Sequence, residues 1–188
     1  CPSLSTIPTP SPANTTSGTS AVLPVDIGTN QTTQTSNINP TVGKNSSIQN
    51  IALTFDNVIS SGHVIIGDNS KTPPTSFSNN QYTSSNIIDS ISIFTTSTFS
   101  GNVVIKCTLP DSISERSFNR LKVFHLKDDN TVSDATITSG DDAPDFNTKT
   151  ISASVSSFSS FYLVSPELTN SSITTELTTT TPTTTTTT

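Results

Sequence analysis

The distribution of aromatic residues constrains this chain most, because large apolar side chains are the material of a packed core. All nine Phe and both Tyr lie between Phe55 and Tyr162. The flanking stretches consist largely of Ser, Thr, Pro and Asn, which bury too little apolar surface to offset the entropy of ordering a chain. The sequence therefore predicts one packed module between two tails that do not pack.

Composition divides the chain into three segments. We expect a disordered Ser/Thr/Pro/Asn-rich leader at 1–46, a β-sandwich at 47–166 and a Thr-rich stalk at 167–188. Within the leader, the apolar island Ala21–Val25 fits an edge strand, since Pro24 argues against a central one. The terminal Thr run is typical of O-glycosylated, mucin-like stalks.

Alternating apolar residues in the middle segment predict strands. In the clearest case Val103, Ile105, Cys107 and Leu109 share one face. Similar patterns, separated by turn signals, give about eight short strands, with one helical turn at Ser114–Asn119 and a long loop at 70–85. The predicted fold is an all-β, immunoglobulin-like antiparallel β-sandwich with disordered N- and C-terminal tails.

Charge and hydropathy narrow the range of partners. The formal net charge is −6, and only 12 % of residues are charged, against about 25 % in an average soluble protein. An acidic, Lys/Arg-poor chain disfavours nucleic acid and anionic membranes as partners. No apolar run approaches the roughly 20 residues of a membrane span, so we expect no span within these residues, and a monomeric module.

Four acceptor patterns for N-glycosylation occur, at Asn14, Asn30, Asn45 and Asn170. All four lie outside the predicted sandwich. Polar tails generate this pattern by chance, and a secreted chain carrying glycans on its tails has the same pattern. The sequence leaves both interpretations open.

No arrangement of residues predicts catalysis or a cofactor. We expect Cys107 to be a small buried apolar residue, with a disulfide to Cys1 as an alternative. His63 and His125 fall within predicted strands, where packing or a backbone hydrogen bond is the ordinary role of histidine. No Ser lies in a Gly-x-Ser-x-Gly turn and no Gly-rich loop is present, so we predict that the protein is not an enzyme.

Two acidic groups are the only candidates for an ion site. They are Asp128, Asp129 and Asp134, followed by Asp141, Asp142 and Asp145. Carboxylates on inter-strand loops can bind calcium, but turns also favour Asp for its backbone hydrogen bonds. We therefore predict no metal site, with calcium at these residues as the weaker alternative.

Several stretches resemble a known family. These are IALTFDNVISSGHVIIG, FSGNVVIKCTLP, RLKVFHLKDDNTVSDATI and the closing VSSFSSFYLV. Together they cover about residues 47–166 and resemble a β-sandwich repeat module of secreted and cell-surface proteins. The resemblance implies a spacer or stalk unit beside other extracellular domains. Family members often pair the Cys of the FSGNVVIKCTLP-like strand with a second Cys, for which Ser152 stands here, so that bridge is expected to be absent.

These observations lead to one expected function and one alternative. We expect a non-enzymatic extracellular or cell-surface module that acts as a spacer or adhesion unit on a glycosylated stalk. Its partners would be other extracellular domains of the same chain or cell-surface molecules. The alternative is a module that binds a glycan or protein ligand through the 70–85 loop, with Phe77 and Tyr82 as stacking rings. Cys1 is either the start of a fragment or a lipidated terminus.

Overall fold

The computed structural model describes residues 20–35, 47–68, 73–74, 76–77 and 82–165. Strands account for most of this part of the chain. Their bounds are β1 Ser20–Val25, β2 Gly28–Gln34, β3 Asn50–Ser60, β4 Gly62–Asp68, β5 Ser76–Phe77, β6 Tyr82–Thr83, β7 Ile87–Thr95, β8 Thr98–Thr108, β9 Lys122–Leu126, β10 Val132–Asp134, β11 Thr150–Val155 and β12 Ser160–Val164. A 3-10 turn covers Ser84–Asn86, and one short helix, α1, covers Glu115–Phe118.

The strands form two antiparallel sheets that pack face to face. One sheet has six strands in the order β1-β4-β7-β12-β9-β10, and the other has four in the order β11-β8-β3-β2. A two-stranded ribbon, β5-β6, stands apart from both. The predicted all-β sandwich is confirmed. The structure has more strands than the expected number of about eight. The pattern of alternating apolar residues does not detect very short strands or strands made of polar residues.

The core lies between the two sheets and follows the predicted alternation. On β8, Val103, Ile105 and Cys107 point inward and are buried, while the residues between them are partly exposed. On β3, Leu53 and Phe55 face the same layer and are fully buried. The ring of Phe55 packs edge-on against Phe99 and Phe158, and edge-on aromatic pairs stabilise a core beyond their buried area.

Residues 20–35 correct the predicted leader. β1 lies at the edge of the six-stranded sheet as the Ala21–Val25 island predicts, and Ala21, Leu23 and Val25 reach the core. β2 pairs with β3 at the edge of the other sheet. The prediction that all of 1–46 is disordered is therefore wrong for 20–35, because β2 holds its place through backbone pairing and needs no apolar face.

The predicted helical turn is confirmed by α1. It begins after Ser114, whose hydroxyl accepts a hydrogen bond from the Ser117 backbone N–H and so satisfies one of the first-turn donors. Phe118 closes the turn and is buried in the main core. The helix carries the chain from β8 in one sheet to β9 in the other.

A second, smaller core lies on the outer face of the six-stranded sheet. Phe124, Tyr162 and Val164 point outward from β9 and β12 and would face solvent in an open sandwich. The ribbon crosses over them, and Phe77 of β5 packs on Phe124 and Tyr162 with ring centroids 5.0 and 5.5 Å apart. Within the segment predicted as a long loop at 70–85, the described ribbon thus covers an apolar part of the sheet face.

Candidate interaction surface

The two chain connections lie at different levels of the six-stranded sheet, and neither lies at the end that carries the β1–β2 turn. Residue pairing leads from Ser20, the first residue of β1, across β4 and β7 to Ser160 of β12. Ser20 and Ser160 therefore lie at the same level along the strands. Three antiparallel pairings separate β1 from β12, so the two strands run in opposite directions. β12 begins at the level of Ser20 and runs on to Val164, after which the Ser165 N–H bonds to the Asn86 carbonyl. We call the end of the sheet where β12 finishes the tether end, and Ser20 lies about midway between it and the opposite end.

The opposite end, which we call the free end, carries the turns between β1 and β2, β3 and β4, and β7 and β8. Val25 pairs with Gly62 there, at the end of β1 and the start of β4. Gly62 lies so close to the β7–β8 turn that a Cβ atom on it would stand 2.7 Å from the Ser97 nitrogen. These tight turns leave the free end without a long loop.

A row of apolar side chains that no described residue covers crosses the outer face of the six-stranded sheet, between the level of Ser20 and the free end. Val22 on β1 pairs with Ile65 on β4, which pairs in turn with Phe94 on β7. Directly paired residues of neighbouring strands have adjacent side chains on one face. Phe94 is 61 % exposed and Val22 49 %, so this apolar row faces solvent.

Two further exposed apolar residues lie at the free end. Ile27, in the β1–β2 turn, is 64 % exposed, and Ile59, near the end of β3, is 55 % exposed. Gly28 and Val58, their chain neighbours, are paired across the β2–β3 ladder. The large apolar side chains that the described residues expose most thus lie between the level of Ser20 and the free end.

Beside the apolar row, the described outward residues of β1, β4 and β7 include no carboxylate, lysine or arginine side chain. Ser20 and Pro24 flank Val22 on β1, His63 flanks Ile65 on β4, and Ser92 flanks Phe94 on β7. In a chain with a net charge of −6, three adjacent strands without a formal charge on one face are a distinct surface. Large exposed apolar patches on soluble proteins mark contact sites.

The structure corrects one of the two predicted stacking rings. Phe77 is only 1 % exposed, so it cannot stack on a ligand from solvent, and its prediction as a stacking residue is wrong. Tyr82 is partly buried and packs on Phe124 at 5.5 Å between ring centroids. The exposed aromatic ring of the described residues is Phe94, which sequence reasoning missed because β7 alternates like an ordinary strand.

The predicted acidic groups serve the turns that hold them. The pKa of Asp129 is lowered because its carboxylate accepts hydrogen bonds from the Thr131 hydroxyl and backbone N–H. The pKa of Asp145 is lowered in the same way by the Asn147 backbone N–H and the Thr148 hydroxyl. Such bonds are the reason that turns favour Asp.

The other acidic residues lie at the surface nearby. Asp134 forms an ion pair with Lys122 at 3.2 Å, and Asp142 pairs with Lys106 at 2.9 Å; Asp128 and Asp141 are exposed in turns. Within the described ranges, no three His, Cys, Asp or Glu side chains converge in a way that would hold a metal ion.

The two histidines have different surroundings. His63 is exposed beside the apolar row. His125 is 2 % exposed and stacks in parallel on Phe161, with ring centroids 4.6 Å apart. Its Nε2 lies 3.0 Å from the Ser159 hydroxyl, which itself donates to the Leu126 carbonyl. These contacts of the Ser159 hydroxyl connect the β11–β12 turn to β9. The sequence gives no signal for the role of Ser159, because its partners are remote along the chain.

Cys107 is a free, buried thiol, as predicted. Burial, with a smaller effect of the nearby Asp89 carboxylate, raises its pKa to about 12. The residue opposite it on β11 is Ile151, whereas Ser152 pairs with Lys106. Ser152 therefore does not lie directly opposite Cys107. Cys1, the alternative bridge partner, lies outside the described residues.

One of the four glycosylation patterns falls within the described part of the chain. Asn30 is exposed on β2, the edge strand of the four-stranded sheet, and has a left-handed backbone with φ 53°. Asn tolerates that conformation better than most residues. Asn14, Asn45 and Asn170 lie outside the described residues, as does the predicted stalk.

Comparison with protein-family models, with curated proteins and with solved structures finds no match. Among the described residues, no helix has the length and apolar character needed to cross a membrane. The surface is therefore interpreted from its own geometry.

Proposed function

We propose that this protein is a non-enzymatic extracellular module that contributes to adhesion, held at its tether end by polar, glycosylated segments. The observation that carries the proposal is the group of exposed apolar side chains between the level of Ser20 and the free end, away from the end where β12 finishes. A module tethered at one end presents its other end to whatever it meets. Apolar residues at that end are then in the position of a contact surface.

The composition outside the sandwich supports an extracellular setting. Thr-rich and Ser/Pro-rich segments with Asn-x-Ser/Thr patterns are typical of glycosylated stalks. The resemblance of residues 47–166 to modules of surface proteins points the same way. A free thiol does not argue against it, since Cys107 is shielded by the core.

The positions of the connections favour adhesion over in-line spacing. A spacer domain adds its full length to a stalk only when the chain enters at one end of the domain and leaves at the other. Here β1 begins about midway along the sheet and β12 finishes at one end, so neither connection lies at the free end. The module therefore adds less than its full strand length to a stalk and leaves the free end unconnected.

A bead assay tests the proposal. Beads carrying the full chain through its C-terminus are passed over bare surfaces, surfaces coated with the same chain, and surfaces coated with mucin-type glycoprotein. Adhesion predicts retention on at least one coated surface, reduced by Phe94→Asp and retained in the matched charge variant Ser154→Asp, which lies exposed on β11. Retention equal to the bare surface on every coating would overturn the proposal.

A further inference from the structure

One glycosylation pattern, at Asn30, lies in the folded sandwich and not in a tail. Asn30 belongs to β2, at the edge of the four-stranded sheet. The pairing of β2 with β3 joins Thr29 to Asn57 and Gln31 to Phe55 but forms no pair at Asn30. The Asn30 side chain is exposed and makes no hydrogen bond within the described part of the chain. A substituent on this side chain would therefore break no hydrogen bond that the described residues make.

The other edges of the two sheets carry features that discourage pairing with a second chain. β1 contains Pro24, which has no N–H to offer to a new strand. β10 is only three residues long and ends in the charged Asp134. The outer edge of β11 is covered by the chain itself, through the bridge between Thr136 and Ala153. Proline, short length, charge and cover are common ways in which native proteins protect sheet edges.

β2 has none of these features. Its seven residues, GTNQTTQ, include no proline and no charged side chain. Among the described residues, no strand pairs with its outer edge. Uncharged strands rich in Asn and Gln stack readily with copies of themselves, so an uncovered edge of this composition is a place where chains aggregate. Within the described ranges, the acceptor pattern thus falls on the sheet edge that lacks another form of protection.

On the basis of the proposed extracellular function, we propose that Asn30 carries an N-linked oligosaccharide, and that this glycan shields the β2 edge from pairing with other chains. The acceptor is the side-chain amide of Asn30, in the pattern Asn30-Gln31-Thr32. A bulky, hydrated sugar beside an edge keeps a second strand from approaching it, as a charge or a proline does. The glycan would belong to the folded module itself and not only to its tails.

The modification is a group transfer from an oligosaccharide linked to a lipid diphosphate. The Asn30 Nδ2 atom forms a bond to the anomeric carbon of the first sugar, and the bond from that carbon to the diphosphate oxygen breaks. The lipid diphosphate leaves with the electron pair, and Nδ2 loses a proton to the solvent. In the fold, the Thr32 hydroxyl of the acceptor pattern lies 3.0 Å from the Thr54 hydroxyl as its hydrogen-bond partner. We therefore expect the transfer to precede the pairing of β2 with β3.

The backbone of Asn30 provides a variant that removes the acceptor and keeps the conformation. Its φ of 53° is left-handed, and glycine adopts this conformation without strain, so Asn30→Gly preserves the local fold. Gln34→Lys, at an exposed position of the same strand, supplies the charge that β2 lacks. Ser154→Lys adds the same charge at an exposed position of β11, whose edge is already covered, and serves as its matched control.

Secretion of the full chain from a eukaryotic host that performs N-glycosylation tests both parts of the proposal. We expect peptide mass spectrometry to find a glycan on Asn30 in most molecules, and peptide-N-glycosidase to convert that Asn to Asp. By light scattering, the Asn30→Gly chain should aggregate severalfold faster than the glycosylated chain. Gln34→Lys should slow the aggregation of the Asn30→Gly chain again, whereas Ser154→Lys should not.

The outcomes separate this inference from the proposed function. An unmodified Asn30 overturns the inference, as does an Asn30→Gly chain that aggregates no faster than the glycosylated one. Equal rescue by Gln34→Lys and Ser154→Lys would also overturn it, since net charge and not the β2 edge would then control aggregation. Beads that are not retained overturn adhesion and leave the glycan result standing, whereas retained beads with an unmodified Asn30 overturn this inference alone.

Discussion

At the scale of single residues, Cys107 links burial to the pH dependence of stability. It lies on β8 between Ile51 of β3 and Ile151 of β11, which oppose it on either side. Because this environment disfavours the thiolate, the pKa of the folded thiol is about 12. In an unfolded chain a Cys thiol titrates near ~8.5.

We predict that Cys107 makes the fold less stable as pH rises above ~8.5, the pKa of an unfolded thiol. Between that value and the folded pKa of about 12, the unfolded state binds fewer protons than the folded one. Stability then falls by about 1.4 kcal/mol per pH unit. Urea unfolding at pH 8 to 10.5 should show this slope relative to Cys107→Ala, which lacks the titrating group. Parallel pH profiles of the two proteins would contradict the prediction.

Two glycines with the same backbone conformation provide a matched pair. Gly101 has φ 80° and Gly140 has φ 81°. A Cβ atom at Gly101 would lie 2.6 Å from Asp56 Oδ2, whereas at Gly140 nothing lies within 4 Å. Asp56 Oδ2 also accepts a hydrogen bond of 2.7 Å from the Asn102 N–H. Displacement of this carboxylate would therefore also break that hydrogen bond.

We predict that Gly140→Ala costs about 1–2 kcal/mol, the penalty of a left-handed backbone for an L-residue. Gly101→Ala should cost at least about 1 kcal/mol more, because the methyl group displaces Asp56 and breaks the bond to Asn102. Thermal or urea unfolding measures both. Equal losses would show that Asp56 moves aside freely.

At the scale of elements, the β5-β6 ribbon is the feature that the sequence predicts least well. We predict that Phe77→Ala lowers the free energy of unfolding by about 3 kcal/mol, as the loss of a buried ring does. Phe94→Ala, which truncates the same residue type on an exposed face, should change it by no more than about 0.5 kcal/mol. Urea unfolding compares the two. A loss at Phe77 no larger than at Phe94 would mean that the ribbon is not seated on the sheet.

Sequence reasoning succeeds where a strand has one apolar and one polar face. Val103–Leu109 and the island at 21–25 follow this rule and were predicted as strands. β2, with the sequence GTNQTTQ, carries no large apolar side chain, so alternation has nothing to detect. Backbone pairing with β3 and the hydrogen bond between the Thr32 and Thr54 hydroxyls place it. The distribution of aromatic residues also placed the start of the module too late, because β1 and β2 contain no aromatic residue.

The candidate surface was beyond prediction from the sequence for a different physical reason. Phe77 lies in a Pro- and Ser-rich stretch and is buried, whereas Phe94 lies in a strand and is exposed. Which aromatic ring meets solvent depends on what crosses the outer face of the sheet. That is decided by contacts between segments far apart in the chain.

At the scale of the whole molecule, the separation of the two chain connections is a measurable quantity. β1 and β12 are three strand spacings apart, about 14 Å, and Val164 lies about five residues further along the sheet than Ser20, about 17 Å. We predict a distance of roughly 20–25 Å between spin labels at Ser20 and Ser165 in the Cys1→Ser, Cys107→Ala background. Connections at opposite ends of strands as long as β8 would give more than about 35 Å, which would contradict the topology.

The nearness of those two connections has an implication for genetic rearrangement. A folded unit whose ends lie close enough for short linkers to join them can be spliced into a surface loop of a host protein. The segment from Ser20 to Ser165 meets that geometric condition. It is suited to travel between proteins as an insertion within another domain, as well as a bead joined end to end.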